Sequence, residues 1–446
     1  MASKEELLTG VEKKYEEAYK KRTKKSRAAS ERARKFLPGG ETRMSIYFPP
    51  HPLWIDRAKG CRFVDLDGNE YIDFNNCYSA LVLGHAHPKV MKAVKEQIMR
   101  GTAHPALMPV VIRWAELLCR RVKSIDRVRF TNSGTEAVMM AIRVARGFTG
   151  RDKIIKMEGG YYGSYDAVVH PSDAPGLPRS VLEDSITIPY NDEQAAERAV
   201  LENKGKVAAV ISEGMMGAAG QIPPKDGYLR FLRKLTEENG VLLILDEVQC
   251  FRVGHGGVQG IFGIEPDLTT LGKIIGGGFP VGAFGGRKEI MDFCSADSHK
   301  VYHSGTFNGN PVTAIAGITT LEQFSFREVA RINKLGEMIS EGIGRVFVKL
   351  GIKGQVTGMG SLRNLHFSPV PVVNGKTAEE ANKEIQRLLH FALMERGIFV
   401  SNRTSLSTCT PMTKKEINTA IAAVEDALIE LKPHIEQIWP ELMETN

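Results

Sequence analysis

No apolar run in the chain reaches the length of a membrane-spanning helix, and the opening Met1-Ala2-Ser3-Lys4-Glu5-Glu6 carries no signal-peptide apolar region. Secretion and membrane residence are therefore not expected, and a cytoplasmic location fits. Cysteine is scarce and scattered: Cys61, Cys77, Cys119, Cys250, Cys294 and Cys409 include no pair at Cys-x-x-Cys spacing. That argues against a zinc site and against a disulfide framework. Internal repeats and low-complexity segments are missing too. The formal net charge of +7 is accompanied by no recognisable nucleic-acid-binding motif. Its basic residues gather at Lys13-Lys14 and from Lys20 to Arg27, interspersed with or preceded by Glu5, Glu6, Glu12, Glu16 and Glu17, the pattern of a mixed-charge surface helix. A nucleic-acid partner is not expected, and the basic balance favours anionic substrates.

What is present is an ordinary globular composition, 42% hydrophobic and 25% charged over 446 residues, a length suited to a large domain with a smaller satellite. Residues 1–37 read as one or two polar helices stopped by Pro38-Gly39-Gly40. Cys61 to Phe74 alternates around Asp67-Gly68-Asn69 and predicts a hairpin. In Gly84-His85-Ala86-His87-Pro88 no acid or cysteine stands at ligand spacing, so the histidines read as a turn into a helix over 88–99 rather than as a metal site. From about residue 105 to 290 short apolar runs alternate with helical stretches, which predicts βαβ units and a parallel sheet. Its strands fall at 128–130, 153–157, 208–212, 241–245 and 268–271, with a further one at 281–286. Past residue 312 a second α+β domain is expected. The division is 1–75, packing with the small domain; 76–315, the large domain; and 316–446, the small domain.

Ligands of such sheets bind beyond the carboxyl ends of the strands, and the chemistry-bearing residues fall there. The very apolar strand Val241 to Leu245 ends in Asp246, a carboxylate that burial makes costly unless a cation partners it. Lys273, flanked by Leu271, Ile274 and Ile275 and followed by Gly276-Gly277-Gly278, is in a setting that disfavours its ammonium form and leaves a nucleophilic amine. Ser133-Gly134-Thr135 opens a helix after the first strand, as a phosphate seat or as an ordinary N-cap. Ser304-Gly305-Thr306 is a second phosphate candidate. Tyr161, in Gly159-Gly160-Tyr161-Tyr162-Gly163, offers a ring either for stacking on a flat cofactor or for loop packing. A phosphate seat, a ring, a buried acid and a lysine match pyridoxal phosphate group by group.

Asn132-Ser133-Gly134-Thr135-Glu136-Ala137, Asp246-Glu247-Val248-Gln249 and Leu271-Gly272-Lys273-Ile274-Ile275-Gly276-Gly277-Gly278 together resemble the signatures of class III (ω-type) aminotransferases. The resemblance implies an α/β chain of fold type I, with a mostly parallel central sheet in the large domain and a smaller α+β domain. It also implies pyridoxal 5'-phosphate as cofactor and a homodimer with shared active sites. Lys273 then forms the Schiff base, Asp246 pairs with the pyridine nitrogen, and Ser133, Gly134 and Thr135 hold the phosphate. Tyr161 and Val248 cover the two ring faces and Gln249 approaches the ring hydroxyl. Glu213 stands among the cofactor-binding residues, and Thr306 reaches the phosphate of the neighbouring subunit. The implied reaction is ping-pong transfer of an amino group from an amino acid to a 2-oxo acid.

Two branches of the family compete. The stretches 124–137, 150–156 and 266–273 resemble glutamate-1-semialdehyde 2,1-aminomutases, but Arg43 and the stretch Phe399 to Ser405 depart from that branch. Thr42-Arg43-Met44-Ser45, His303 to Asn308, Thr357 to Leu362 and Arg403 resemble aminotransferases acting on β-amino acids. Arg43 and Arg403 are accordingly expected to hold substrate carboxylates by bidentate pairing, the alternative for each being a surface or structural arginine. A β-amino-acid aminotransferase is the leading expectation, with an aminomutase, or a racemase on the same scaffold, as the alternative. Glycine at 214 and tyrosine at 162, where the family usually has proline and histidine, are departures that reshape the pocket.

Overall fold

The computed structural model describes residues 3–169 and 175–444. The first helix, Lys4–Arg22, is capped by Ser3 and Glu6 in a reciprocal box and is not polar all round. Val11, Tyr15 and Tyr19, spaced four apart, bury one stripe of it in a cluster shared with Phe63, Phe74, Phe391 and Leu428. A second helix, Lys24–Ala33, follows, and Pro38–Gly40 forms a 3-10 turn. Strands β1 (Ile55–Lys59), β2 (Arg62–Asp65) and β3 (Glu70–Asp73) make an antiparallel meander, with the expected hairpin between the last two.

The central sheet contains β4 (Arg127–Thr131), β5 (Lys153–Met157), β6 (Ser185–Ile188), β7 (Val207–Glu213), β8 (Leu242–Asp246), β9 (Leu268–Gly272) and β10 (Gly282–Gly286). Their order is β4-β10-β9-β8-β7-β5-β6. Every residue of β7, β8 and β9 is buried, because helices cover both faces of a sheet whose crossovers are helical. The sheet is mostly parallel but not wholly so: β10 runs antiparallel to both β4 and β9. The short connection through residues 273–281 reverses the chain without a crossover helix, and a parallel neighbour would need one. Strand β6, at the sheet edge, lies outside the strands expected from sequence.

Beyond the helix Phe326–Leu350, β11 (Gly354–Thr357), β12 (Leu362–Phe367) and β14 (Ser405–Ser407) form a three-stranded sheet. The two-residue β13 (Ile398–Phe399) does not join it and instead pairs in parallel with β3. The chain is thus an α/β protein of fold type I with a large sheet domain and a smaller α+β domain. Among the described residues, no helix is long and apolar enough to cross a membrane.

Candidate active site

Register brings the expected residues together. Glu213 faces Asp246 across β7 and β8, Asp246 faces Thr270 across β8 and β9, and Gly282 of β10 faces both Gly272 and Thr131. The carboxyl ends of β4, β7, β8 and β9 therefore form one edge, and Lys273 is the first residue past β9. It adopts φ 50, a left-handed conformation rare outside glycine, at the head of the turn Lys273–Gly276. Burial pulls its amine below the ordinary lysine value against the opposing pull of Asp246, Glu213, Cys250 and Cys77.

The two acids are buried side by side. Asp246 accepts the Val248 N–H at 2.8 Å, and burial pushes its carboxyl up to about 6, opposed by that hydrogen bond, Lys273 and the Thr270 hydroxyl. Glu213 accepts N–H groups from Tyr161 at 3.1 Å and Gly217 at 2.9 Å. Burial, reinforced by the Asp246 carboxylate, pushes Glu213 up to about 8. A Cβ on Gly217 would stand 1.7 Å from Gln249 Oε1 and 3.2 Å from Glu213 Oε2, so the Gln249 amide and the Glu213 carboxyl converge on this backbone, and a side chain here would require the Gln249 amide to shift.

Ser133 caps the helix Gly134–Thr149, its Oγ accepting the Glu136 N–H at 3.1 Å. The N-cap reading of the sequence therefore holds for its side chain. The first-turn N–H groups of Gly134 and Thr135 have no acceptor within the helix and sit at its positive end, which suits a phosphate. Val248 lies over this seat: a Cβ on Gly134 would come within 3.1 Å of Val248 Cγ1. Tyr161 leaves its ring 59% exposed, whereas Tyr162 is fully buried. Thr306 is exposed on a loop fixed by Asn308, whose Oδ1 accepts from Asn132 Nδ2 at 2.9 Å in the same chain.

The two arginines lie on different elements. Arg43 Nη2 lies 3.9 Å from Cys77 Sγ, and its guanidinium sits 5.3 Å above the Tyr78 ring. Arg403 Nη1 donates to the Ala218 carbonyl at 3.3 Å, one residue from Gly217. Sequence reasoning missed Cys77, Tyr78 and the Gly217-Ala218 turn. The readable signal was Asn75-Asn76, since asparagine tolerates the left-handed region that the chain enters at Asn76.

Residues 47–428 match the family model Aminotransferase class-III. A glutamate-1-semialdehyde 2,1-aminomutase of Methanocaldococcus jannaschii is 42% identical over 417 residues, covering 90% of this chain and 97% of that protein. Among solved structures, an omega-transaminase from Sphaerobacter thermophilus superposes with a TM-score of 0.87 at 39% identity, covering 91% of this chain and 97% of that one. A β-phenylalanine aminotransferase from Variovorax paradoxus reaches 0.90 at 33% identity, covering 97% and 99%. Matching enzymes have been solved with PLP or PMP bound, and pyridoxal 5'-phosphate is the cofactor of this chain. The residues fit it: a buried carboxyl at Asp246 that needs a cation, open N–H donors at a helix start for a phosphate, and a lysine amine with a lowered pKa.

Proposed function

The chain belongs to the class III aminotransferases, PLP-dependent enzymes, and on that premise we propose that it moves an amino group from a carboxylate-bearing amine, a β-amino acid first among them, to a 2-oxo acid. What supports this reading is that Arg43 and Arg403 come from two different elements, one beside Cys77 and the other beside Ala218, next to the Gly217 that donates to Glu213. Two separated guanidinium groups suit an amino acid and a 2-oxo acid that present their carboxylates in different places.

Ser133, Gly134 and Thr135 would hold the cofactor phosphate and Asp246 the ring nitrogen, with Tyr161 and Val248 on the ring faces and Gln249 and Glu213 at its hydroxyl edge. Lys273 would hold it covalently. When bound, the cofactor supplies an electron sink for the carbon that loses its proton. The chain's own part is proton movement and orientation. The Lys273 amine, its pKa lowered by burial, would be released by the incoming substrate amine and then take the proton from the amine-bearing carbon of the substrate, with the arginines fixing that carbon within its reach. Met99, Leu107, Tyr302 and Phe307 are exposed on two segments, one of them the loop that carries Thr306, joined where Asn310 Nδ2 donates to the Thr102 carbonyl at 2.8 Å. They would be covered in a homodimer in which Thr306 serves the neighbouring phosphate.

A second reading, glutamate-1-semialdehyde 2,1-aminomutase, has the stronger support from relatives' names, through archaeal aminomutases 39–42% identical over most of the chain. Product analysis separates the two. The transferase reading expects β-phenylalanine to yield at most one equivalent of its keto acid per site without an acceptor, and continuous turnover only when a 2-oxo acid acceptor is supplied. Conversion of the semialdehyde to 5-aminolevulinate without any acceptor, with β-phenylalanine inert, would establish the mutase instead.

A further inference from the structure

Residues Asn76, Cys77, Tyr78 and Ser79 all lie in the left-handed region, at φ 49, 53, 54 and 68, which makes one turn of left-handed helix without a glycine. Such a run is unfavourable for L-residues and persists only where surrounding contacts over-determine it. Here they do. Asp73 Oδ1 accepts the N–H groups of Asn75 and Asn76, both at 2.9 Å, and Asn75 Oδ1 accepts that of Tyr78 at 2.7 Å. Asn76 Nδ2 donates to the Ser407 carbonyl at 2.7 Å, and Arg252 Nη1 donates to the Ser79 carbonyl at 2.8 Å.

None of these bonds uses the side chains of Cys77 or Tyr78, and both of those side chains meet the segment that carries Arg43. The Tyr78 hydroxyl donates to the Ser45 carbonyl, the Tyr78 ring lies under the Arg43 guanidinium, and the Cys77 thiol is beside Arg43 Nη2. Among the described residues Arg43 has no carboxylate at ion-pair distance. A ring and a thiol hold a cation in place without neutralising it, so its charge stays available.

We propose that the left-handed turn Asn76–Ser79 is a specificity device, in which Tyr78 is a positioning residue that aims Arg43 at the substrate carboxylate. The inference rests on reading Arg43 as a carboxylate-binding residue. Tyr78 acts twice, fixing the backbone at Ser45 through its hydroxyl and the guanidinium through its ring.

The test uses the holoenzyme with β-phenylalanine and with 1-phenylpropylamine, which replaces the carboxylate by a methyl group, at a saturating 2-oxo acid. Tyr78→Leu is expected to raise KM for β-phenylalanine about 5- to 20-fold, with kcat and the KM for the amine within about twofold. Tyr78→Phe, which keeps the ring, should recover most of that loss. Binding of unreactive 3-phenylpropanoate, read by calorimetry, should weaken by the same factor in Tyr78→Leu. Adding Tyr78→Leu to Arg43→Ala should bring no further loss, since the two act through one contact. If Arg43→Ala is selective for the carboxylated substrate and Tyr78→Leu is not, the positioning role is overturned while the reading of Arg43 stands. If Arg43→Ala affects acid and amine alike, or β-phenylalanine is not a substrate, both fall.

Discussion

Glu213 illustrates how much a single buried group carries. Its folded pKa of about 8 lies above the ordinary carboxyl value of 4.5, so the native state holds that proton more tightly than the unfolded chain does. The stability this contributes is fully present below about pH 4.5 and is lost as pH rises through about 8. Asp246, raised from 3.8 to about 6, acts in the same direction at lower pH. Cofactor-free protein is therefore expected to be less stable at pH 8 than at pH 5, by on the order of 1–3 kcal/mol. Glu213→Gln, which removes the titration, should flatten the slope, as read from urea midpoints at several pH values. A wild-type midpoint that rises over this interval would contradict the protonated state assigned to Glu213.

At the scale of elements the left-handed turn invites a counter-intuitive substitution. Cys77→Gly places a residue indifferent to φ 53 where an L-residue is strained by roughly 1–2 kcal/mol, partly offset by about 0.5–1 kcal/mol of added freedom in the unfolded chain. Unfolding free energy is expected to rise by about 0.5–1 kcal/mol, and a clear loss in denaturant titration would show that the turn is not strained. This turn also marks the limit of what could be read beforehand. The core strands of the central sheet were legible because they are continuous apolar runs, and Glu213, Asp246 and Lys273 stood out as the polar residues that end or follow them. Strand β6, Ser185–Ile188, is short and only partly buried, so it lacked such a run. The direction of β10 is not written in its own residues, and its signal was the connection through 273–281, too short for the crossover a parallel neighbour needs. Beyond the local bonds from Asp73 and Asn75, Cys77 and Tyr78 owe their position to Ser407 and Arg252, contacts distant in sequence that no window around residue 77 contains.

Across the whole molecule, Arg252 is the buried joint. Among the described residues it has no carboxylate partner; it has no exposed surface, and donates to Ser361 Oγ at 3.1 Å, to the Ser79 carbonyl at 2.8 Å and to the Thr408 carbonyl. Burial pulls its pKa down to about 10, still far above neutrality, so it remains a cation inside the protein. Arg252→Ala leaves several buried acceptors unpaired and is expected to cost about 3–5 kcal/mol in denaturant unfolding. A loss below about 1 kcal/mol would mean that the small domain and the turn at residues 76–79 are held elsewhere.

The pairing of β3 with β13 joins Ile72 to Ile398, residues separated by most of the chain. During synthesis the meander leaves the ribosome before the central sheet does, yet the strand that completes the meander is made more than three hundred residues later. All of the central sheet can form in that interval, while β3 waits with a bare edge able to pair with any passing strand. The closing of that edge reports that residue 398 has been made, and chains cut short before it would carry Asp246 and Lys273 and still be marked as incomplete by an unpaired strand.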